Sequence, residues 1–217
     1  MNYVLENILT IGIPVILAIT LHEAAHGYVA RYFGDRTAEQ LGRITLNPIR
    51  HIDPIGTLLI PVLILLFSSG AFLFGYAKPV PVNPRNFKNP RRDMAWVALA
   101  GPAANLAMAL FWTLILKIAF TQGLADNTFW VAMAGSGILV NLVLIVLNLL
   151  PIPPLDGGRV AVGFLPVTAA AVLNRIEPYG FFIVLILLFT NILNTLMLPA
   201  IAFLMRLLAI LFSVYPS

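Results

Sequence analysis

The residue types best suited to chemistry lie in residues 22–26, which read HEAAH at the C-terminal end of an apolar run that begins near Ile8. His22 and His26 stand four residues apart, so on a helix they share one face and can both direct a ring nitrogen at one metal ion. Glu23 follows the first histidine directly, beside that metal, where it could take a proton from a metal-activated water. Polar groups at bilayer depth are costly and usually mark a functional site. The spacing therefore predicts the helix of a zinc hydrolase.

A third metal ligand must come from elsewhere in the chain, because catalytic zinc takes three protein ligands and a water. His51 is the third histidine of the chain and lies in the sequence His-Ile-Asp-Pro. Asp156 is the other candidate, at the end of a later apolar run. Thiolate ligands are excluded, since the chain has no cysteine. The residue types leave both candidates open.

Three motifs stand in a characteristic order: HEAAH at 22–26, GPAAN at 101–105 and NLLPIPPLDGG at 148–158. Together they resemble the site-2 protease family of intramembrane zinc metalloproteases, over about residues 10–165. No long hydrophilic stretch is present, so we expect a minimal form without a PDZ domain.

The resemblance implies a role for each motif. The Asp of the family's LDG motif is the third zinc ligand, which carries over to Asp156 and gives a metal set of His22, His26 and Asp156. The family also places an Asn eight residues before that Asp, so Asn148 is the first candidate for a donor to the oxyanion and Asn105 the second. His51 is then expected to orient its own loop.

The composition excludes an ordinary soluble domain, because 60% of the 217 residues are hydrophobic and only 10% are charged. The mean hydropathy is +0.93. We expect one membrane-embedded domain over 1–217, with a core at 7–165 and C-terminal helices at 179–213. The net charge of +4 could suggest nucleic acid. The basic residues flank apolar runs, however, so membrane topology explains them better and the bilayer is the expected partner.

The chain should form an all-α polytopic membrane protein, because several apolar runs reach the length of about 20 residues that a span needs. The predicted bundle has three transmembrane helices at its core, which carry the zinc site. The run at 54–76 is the exception. If it crossed, the basic loops at 31–53 and 77–93 would face opposite sides, against the positive-inside tendency, and His22 would be separated from Asp156. We therefore predict a re-entrant hairpin at 54–76, with breaks at Pro61 and residues 68–70.

Two finer predictions concern local structure. Polar and apolar residues interleave near 36–48, which favours either a short membrane-associated β-hairpin or a surface turn. The last run, 179–213, is too long for one span, and Pro199 is expected to divide it.

The function that the resemblance implies is hydrolysis of peptide bonds within or near the transmembrane segments of membrane proteins. The expected location is the cell membrane, multi-pass, with the site toward the cytosol, where both basic loops lie. Two alternatives are a proteolytically inactive metal-binding scaffold and a small ion transporter. An intact Glu23 argues against the first, and the lack of an internal repeat argues against the second. The sequence gives neither the substrate nor the oligomeric state.

Overall fold

The computed structural model describes residues 3–67, 75, 77–123 and 128–213, and within these ranges it contains helices and no strand. Five helical segments are long and apolar enough to cross a membrane: Leu5–Tyr32, Pro90–Thr121, Phe129–Asn148, Val167–Phe189 and Ile192–Phe212. The predicted all-α polytopic architecture is confirmed at this level.

The helices follow one another along the chain as α1 (Tyr3–Tyr32), α2 (Thr37–Gln40), α3 (Ile60–Phe67), α4 (Pro90–Thr121), α5 (Thr128–Asn148), α6 (Asp156–Phe164), α7 (Val167–Ile176), α8 (Gly180–Phe189) and α9 (Ile192–Phe212). A π-helix at Pro54–Leu59 leads into α3, and short 3-10 turns lie at Pro48–His51, Pro84–Asn86 and Glu177–Tyr179.

Helices α1, α4 and α5 pack against one another, and α6 packs on α4. Small side chains let the backbones approach, as membrane helices require. On α1 the buried apolar positions include Ala18, Ala24 and Ala30, and Gly137 of α5 faces the indole of Trp112 on α4. The larger apolar core lies between α4 and α5, and α8 and α9 complete it.

The turn into α6 is tight and depends on two glycines. A side chain at Gly157 would collide with the backbone of Leu149 and Leu150, and one at Gly158 with the backbone of Ile152 and Pro153. The chain after α5 thus folds back closely on itself, and Asp156 stands at the first position of α6. This return brings Asp156, just after the end of α5, toward α1.

The predicted β-hairpin near 36–48 is not formed, and the segment is a helical turn followed by loops. Asp35 explains the start of this turn, since its carboxylate accepts the Thr37 N–H at 3.1 Å. Gly42, at φ +62°, follows the turn in the left-handed region. The hydrogen bonds of this helical turn therefore outweigh the weak alternation of polar and apolar residues. No partner strand is present within the described residues to favour a β-hairpin.

The described part of the run at 54–76 is helical from Pro54 to Phe67. Pro61, a predicted break, lies inside this helical stretch, just after the π-helix, and the helix continues through it. The predicted break at residues 68–70 lies outside the described residues.

The predicted division of the last run at Pro199 is wrong. The chain breaks at Thr190 and Asn191, where Asn191 has φ 60°, and α9 continues through Pro199. Asn191 can end a helix because an Asn adopts the left-handed conformation at low cost. Pro199 need not end one, because a membrane helix tolerates a proline in its interior. The preceding segment begins at Val167, earlier than the predicted position 179.

Candidate metal centre and catalytic cavity

Helix α1 presents His22 and His26 on one face, as their spacing predicts. The two Nε2 atoms lie 3.1 Å apart, and the ring planes are nearly perpendicular. Both residues are almost fully buried, with 7% and 9% of their surface exposed. Buried imidazoles need partners for both ring nitrogens.

The two Nδ1 atoms each face an acceptor on α4. His26 Nδ1 lies 2.7 Å from the carbonyl oxygen of Val97, and His22 Nδ1 lies 2.6 Å from Oδ1 of Asn105. A carbonyl oxygen only accepts, so each neutral ring carries its hydrogen on Nδ1. The two Nε2 atoms consequently both carry lone pairs, with no hydrogen between them.

Asp156 completes this arrangement from α6. Its Oδ2 lies 3.2 Å from Nε2 of His22 and 3.4 Å from Nε2 of His26. The same oxygen is buried and has no hydrogen-bond donor among the described residues. An ionised aspartate only accepts, so this oxygen, like the two Nε2 atoms, offers a lone pair and no hydrogen.

Three converging acceptor atoms without hydrogens fit a cation, and their spacing fits zinc. Tetrahedral zinc, with bonds of about 2.0–2.1 Å, places its ligand atoms about 3.3–3.5 Å apart. The three observed separations lie between 3.1 and 3.4 Å. The Nδ1 contacts to Asn105 and Val97 are the outer hydrogen bonds that metal-bound histidines ordinarily make.

Gly101 permits the close approach of α4 to this centre. A side chain there would collide with the imidazoles of both His22 and His26. The GPAAN motif thus leaves room for the two imidazoles at Gly101 and provides Asn105 as the hydrogen-bond acceptor of His22.

The metal centre opens into a cavity of about 470 Å³. Its lining is mainly apolar, and its polar side chains are those of His22, Glu23, His26, Asn148, Asp156 and Arg159. A carboxylate oxygen of Glu23 and ring nitrogens of both histidines lie within 4.8 Å of one another. Glu23 Oε2 also accepts the backbone N–H of Val80 at 2.8 Å. The cavity thus brings a carboxylate next to the candidate metal ligands.

The two predicted amide donors lie in different environments. Asn148 lines the cavity, and its Nδ2 donates to the carbonyl of Leu144 at 3.0 Å, which uses one of its two hydrogens. Asn105 is fully buried, and its Nδ2 donates to Ala18 O at 3.3 Å and to Asn141 Oδ1 at 2.9 Å. Both hydrogens of Asn105 are engaged, so the structure brings Asn148 to the cavity and keeps Asn105 behind His22.

His51 lies apart from this cluster. Its Nε2 is 2.9 Å from the carbonyl of Thr45, and its own carbonyl accepts the N–H of Lys78 at 2.9 Å. Its contacts are with the loops, as expected.

Sequence reasoning missed Asn141, Val97 and Val80. Asn141 carried a signal, since a lone amide in the middle of an apolar run at 128–150 is costly unless it is bonded. It donates to Gly137 O at 2.8 Å and accepts from Asn105. Val97 and Val80 act through backbone atoms, for which the residue type gives no signal.

Comparisons with known proteins agree with this geometry. The model of peptidase family M50 matches residues 10–129 and 115–191. The Bacillus subtilis (strain 168) protein named "Putative zinc metalloprotease YwhC" is 44% identical over 182 residues, which are 82% of this chain and 79% of that protein.

Mycobacterial proteins are also similar. The Mycolicibacterium smegmatis protein named "Putative zinc metalloprotease Rip2" is 37% identical over 82% of this chain and 66% of its own length. The Mycobacterium tuberculosis (strain H37Rv) protein of the same name is 38% identical over 65% of this chain and 52% of its own length. No solved structure matches the chain.

Proposed function

This chain belongs to peptidase family M50, the site-2 protease family, and we propose that it hydrolyses peptide bonds within or near the transmembrane segments of other membrane proteins. It is a multi-pass membrane protein and a metalloprotease that uses zinc. The proposed partners are a membrane protein substrate with a transmembrane helix and the lipid bilayer, with no nucleic acid.

One observation carries the proposal. His22, Glu23 and His26 lie on a helix of membrane-spanning length, and Asp156 meets them beside an apolar cavity between the helices. Polar groups are retained at such depth for function, because burying them without partners is costly. A cavity with apolar walls suits a hydrophobic peptide segment.

In the proposed mechanism each side chain has a separate task. His22, His26 and Asp156 hold the metal, and zinc bound there supplies Lewis acidity toward water and the scissile carbonyl. Glu23 accepts the proton of the attacking water and passes it to the leaving amine. Asn148 donates its second amide hydrogen to the developing oxyanion. Asn105 fixes the orientation of the His22 ring.

The proposed topology is a re-entrant segment at 54–76. The two loops that flank this run contact each other, which supports the proposal. Asp35 accepts the Asn83 N–H at 2.7 Å, and Arg43 Nη2 donates to Lys78 O at 2.9 Å. Loops joined in this way lie on one side of a membrane, so the intervening run returns to the side from which it entered.

We further propose a single membrane-embedded domain over 1–217, with its core at 7–165. Both loops are basic, so the positive-inside tendency places them, and the metal centre beside them, toward the cytosol. The cell membrane is the proposed location.

Substitution of Glu23 by Gln tests the proposed function. Glutamine has nearly the same shape but accepts no proton, so we expect cleavage to fall by about 10²–10⁴-fold while zinc stays bound. The wild type and Glu23→Gln are each co-expressed with a panel of single-span membrane proteins, and shortened membrane fragments are measured. Fragments that appear equally with both proteins would show that this centre is not the protease. If the wild type releases none, the metal-binding scaffold is favoured.

A further inference from the structure

Residues 78–83, which read KPVPVN and are here named the strap, run past the mouth of the catalytic cavity. Prolines fix φ near −65° and force the residue before them into an extended conformation. Pro79, Pro81 and the following Pro84 therefore make the strap stiff and extended. A segment of this kind holds its shape without pairing to a strand.

The strap is tied to the protein at both ends. At its start, the Lys78 N–H donates to His51 O at 2.9 Å, and the Arg43 guanidinium donates to Lys78 O at 2.9 Å and to Pro79 O at 3.3 Å. At its end, the Asn83 N–H donates to Asp35 at 2.7 Å. Arg43, Asp35 and His51 are all buried. These bonds fix where the middle of the strap lies.

The middle of the strap makes one polar contact with the catalytic cavity. The Val80 N–H donates to Oε2 of Glu23 at 2.8 Å. Pro79 and Pro81 have no N–H, so Val80 supplies the single backbone donor of residues 79–81. The bond engages one oxygen of the carboxylate, and no donor to Oε1 is found among the described residues.

We propose that the Val80 N–H is the group that positions Glu23 for catalysis. A glutamate on the surface of a helix has several rotamers, and only some of them place an oxygen beside the metal centre. With Oε2 held by a fixed donor, Oε1 is left to accept a proton. The strap, anchored by Arg43 and Asp35, is then part of the catalytic apparatus. This inference rests on the proposed role of Glu23 as general base.

A purely structural role for the strap makes a different prediction. Val80 is also a buried residue, with 7% of its surface exposed, and it lines the cavity. If the strap only shields the cavity, shortening its side chain should impair the enzyme more than removing the N–H does. The two roles are therefore separable at one residue.

Val80→Pro removes the N–H in a segment that is already extended and proline-rich. We expect kcat to fall about 10–100-fold, because a displacement of about 1 Å at a catalytic group has an effect of this size. KM, zinc content and Tm should stay close to wild type. Two variants serve as controls. Val80→Ala shortens the side chain but keeps the Val80 N–H. Val82→Pro removes the Val82 N–H, for which no acceptor is found among the described residues. Both should retain far more activity than Val80→Pro. A kcat of Val82→Pro or Val80→Ala as low as that of Val80→Pro would overturn the proposal.

Hydrogen exchange gives a readout that does not require cleavage. The peptide 78–83 has few exchanging amides, since its prolines have none. In Glu23→Gln the side-chain carbonyl can still accept from Val80, whereas in Glu23→Ala nothing can. We expect one amide of this peptide to lose protection in Glu23→Ala and to keep it in Glu23→Gln. Equal protection in both variants would refute the positioning bond, even if the wild type cleaved no substrate and the proposed function had failed.

Discussion

The imidazole of His22 and the side-chain amide of Asn105 meet across the interface of α1 and α4, with 2.6 Å between Nδ1 and Oδ1. Asn141 fixes this amide in turn, since its Oδ1 accepts from Asn105 Nδ2 at 2.9 Å and its own Nδ2 donates to Gly137 O at 2.8 Å. Three helices thus set the tautomer of one candidate metal ligand. A half-satisfied buried network is costly, so its members act as a unit.

Substitution of Asn105 by Leu should therefore weaken zinc binding. The His22 ring would lose the acceptor that keeps its hydrogen on Nδ1, and loss of such an outer partner lowers metal affinity by about 10–100-fold. Competition with a zinc chelator measures this change. Asn148→Leu is the matched control, because Asn148 lines the cavity but its amide bonds to Leu144 O and not to either histidine. Equal zinc affinity in both variants would contradict the role assigned to Asn105.

The gap at Gly101 gives a second prediction. A methyl group there collides with the rings of His22 and His26, so Gly101→Ala should lower both zinc content and Tm. Overpacking of this kind costs about 1–3 kcal/mol. Gly135→Ala is the control, since the space around a Cβ at Gly135 is open, and alanine favours a helix by about 0.5–1 kcal/mol. If Gly101→Ala bound zinc as the wild type does, α4 would not pack on the centre as closely as it does here.

The third ligand is tested by measuring zinc in purified protein. We expect about one zinc per chain in the wild type and a sharp loss in Asp156→Ala, because two imidazoles alone hold catalytic zinc weakly. His51→Ala should keep its zinc, since His51 bonds to Thr45 O, away from the centre. Zinc that survives in Asp156→Ala and disappears in His51→Ala would overturn the assignment.

The juxtaposition of His22 and His26 could be predicted from the sequence, because helical periodicity alone places them on one face. Asp156 needed more, since it is 134 residues from His22. Only the LDG motif indicated that Asp156 lies beside the two histidines in the folded chain. Asn105 was predicted as a donor to the substrate and instead faces His22, which depends on how α1 and α4 pack.

Local structure was predicted less well where several weak preferences compete. The alternation near 36–48 suggested strands, but a helical turn forms there, and Asp35 accepts the N–H of its first residue, Thr37. Pro199 suggested a break, but Asn191 takes the left-handed conformation and makes the break eight residues earlier. The contact between Val80 and Glu23 had no signal in the sequence, because a backbone N–H is the same for every residue except proline.

Topology gives the last prediction, and the absence of cysteine makes it direct, because each introduced cysteine is the single thiol of the chain. Ile49 and Lys88 lie exposed in the two basic loops, and Gln122 lies exposed beyond the other end of α4. We expect Ile49→Cys and Lys88→Cys to react with a membrane-impermeant maleimide only in inside-out vesicles. Gln122→Cys should react in right-side-out vesicles. Because Asp35 and Arg43 bind the loop that contains Asn83 and Lys78, labelling of Ile49→Cys and Lys88→Cys from opposite sides would contradict both the re-entrant segment and the contacts that hold the strap.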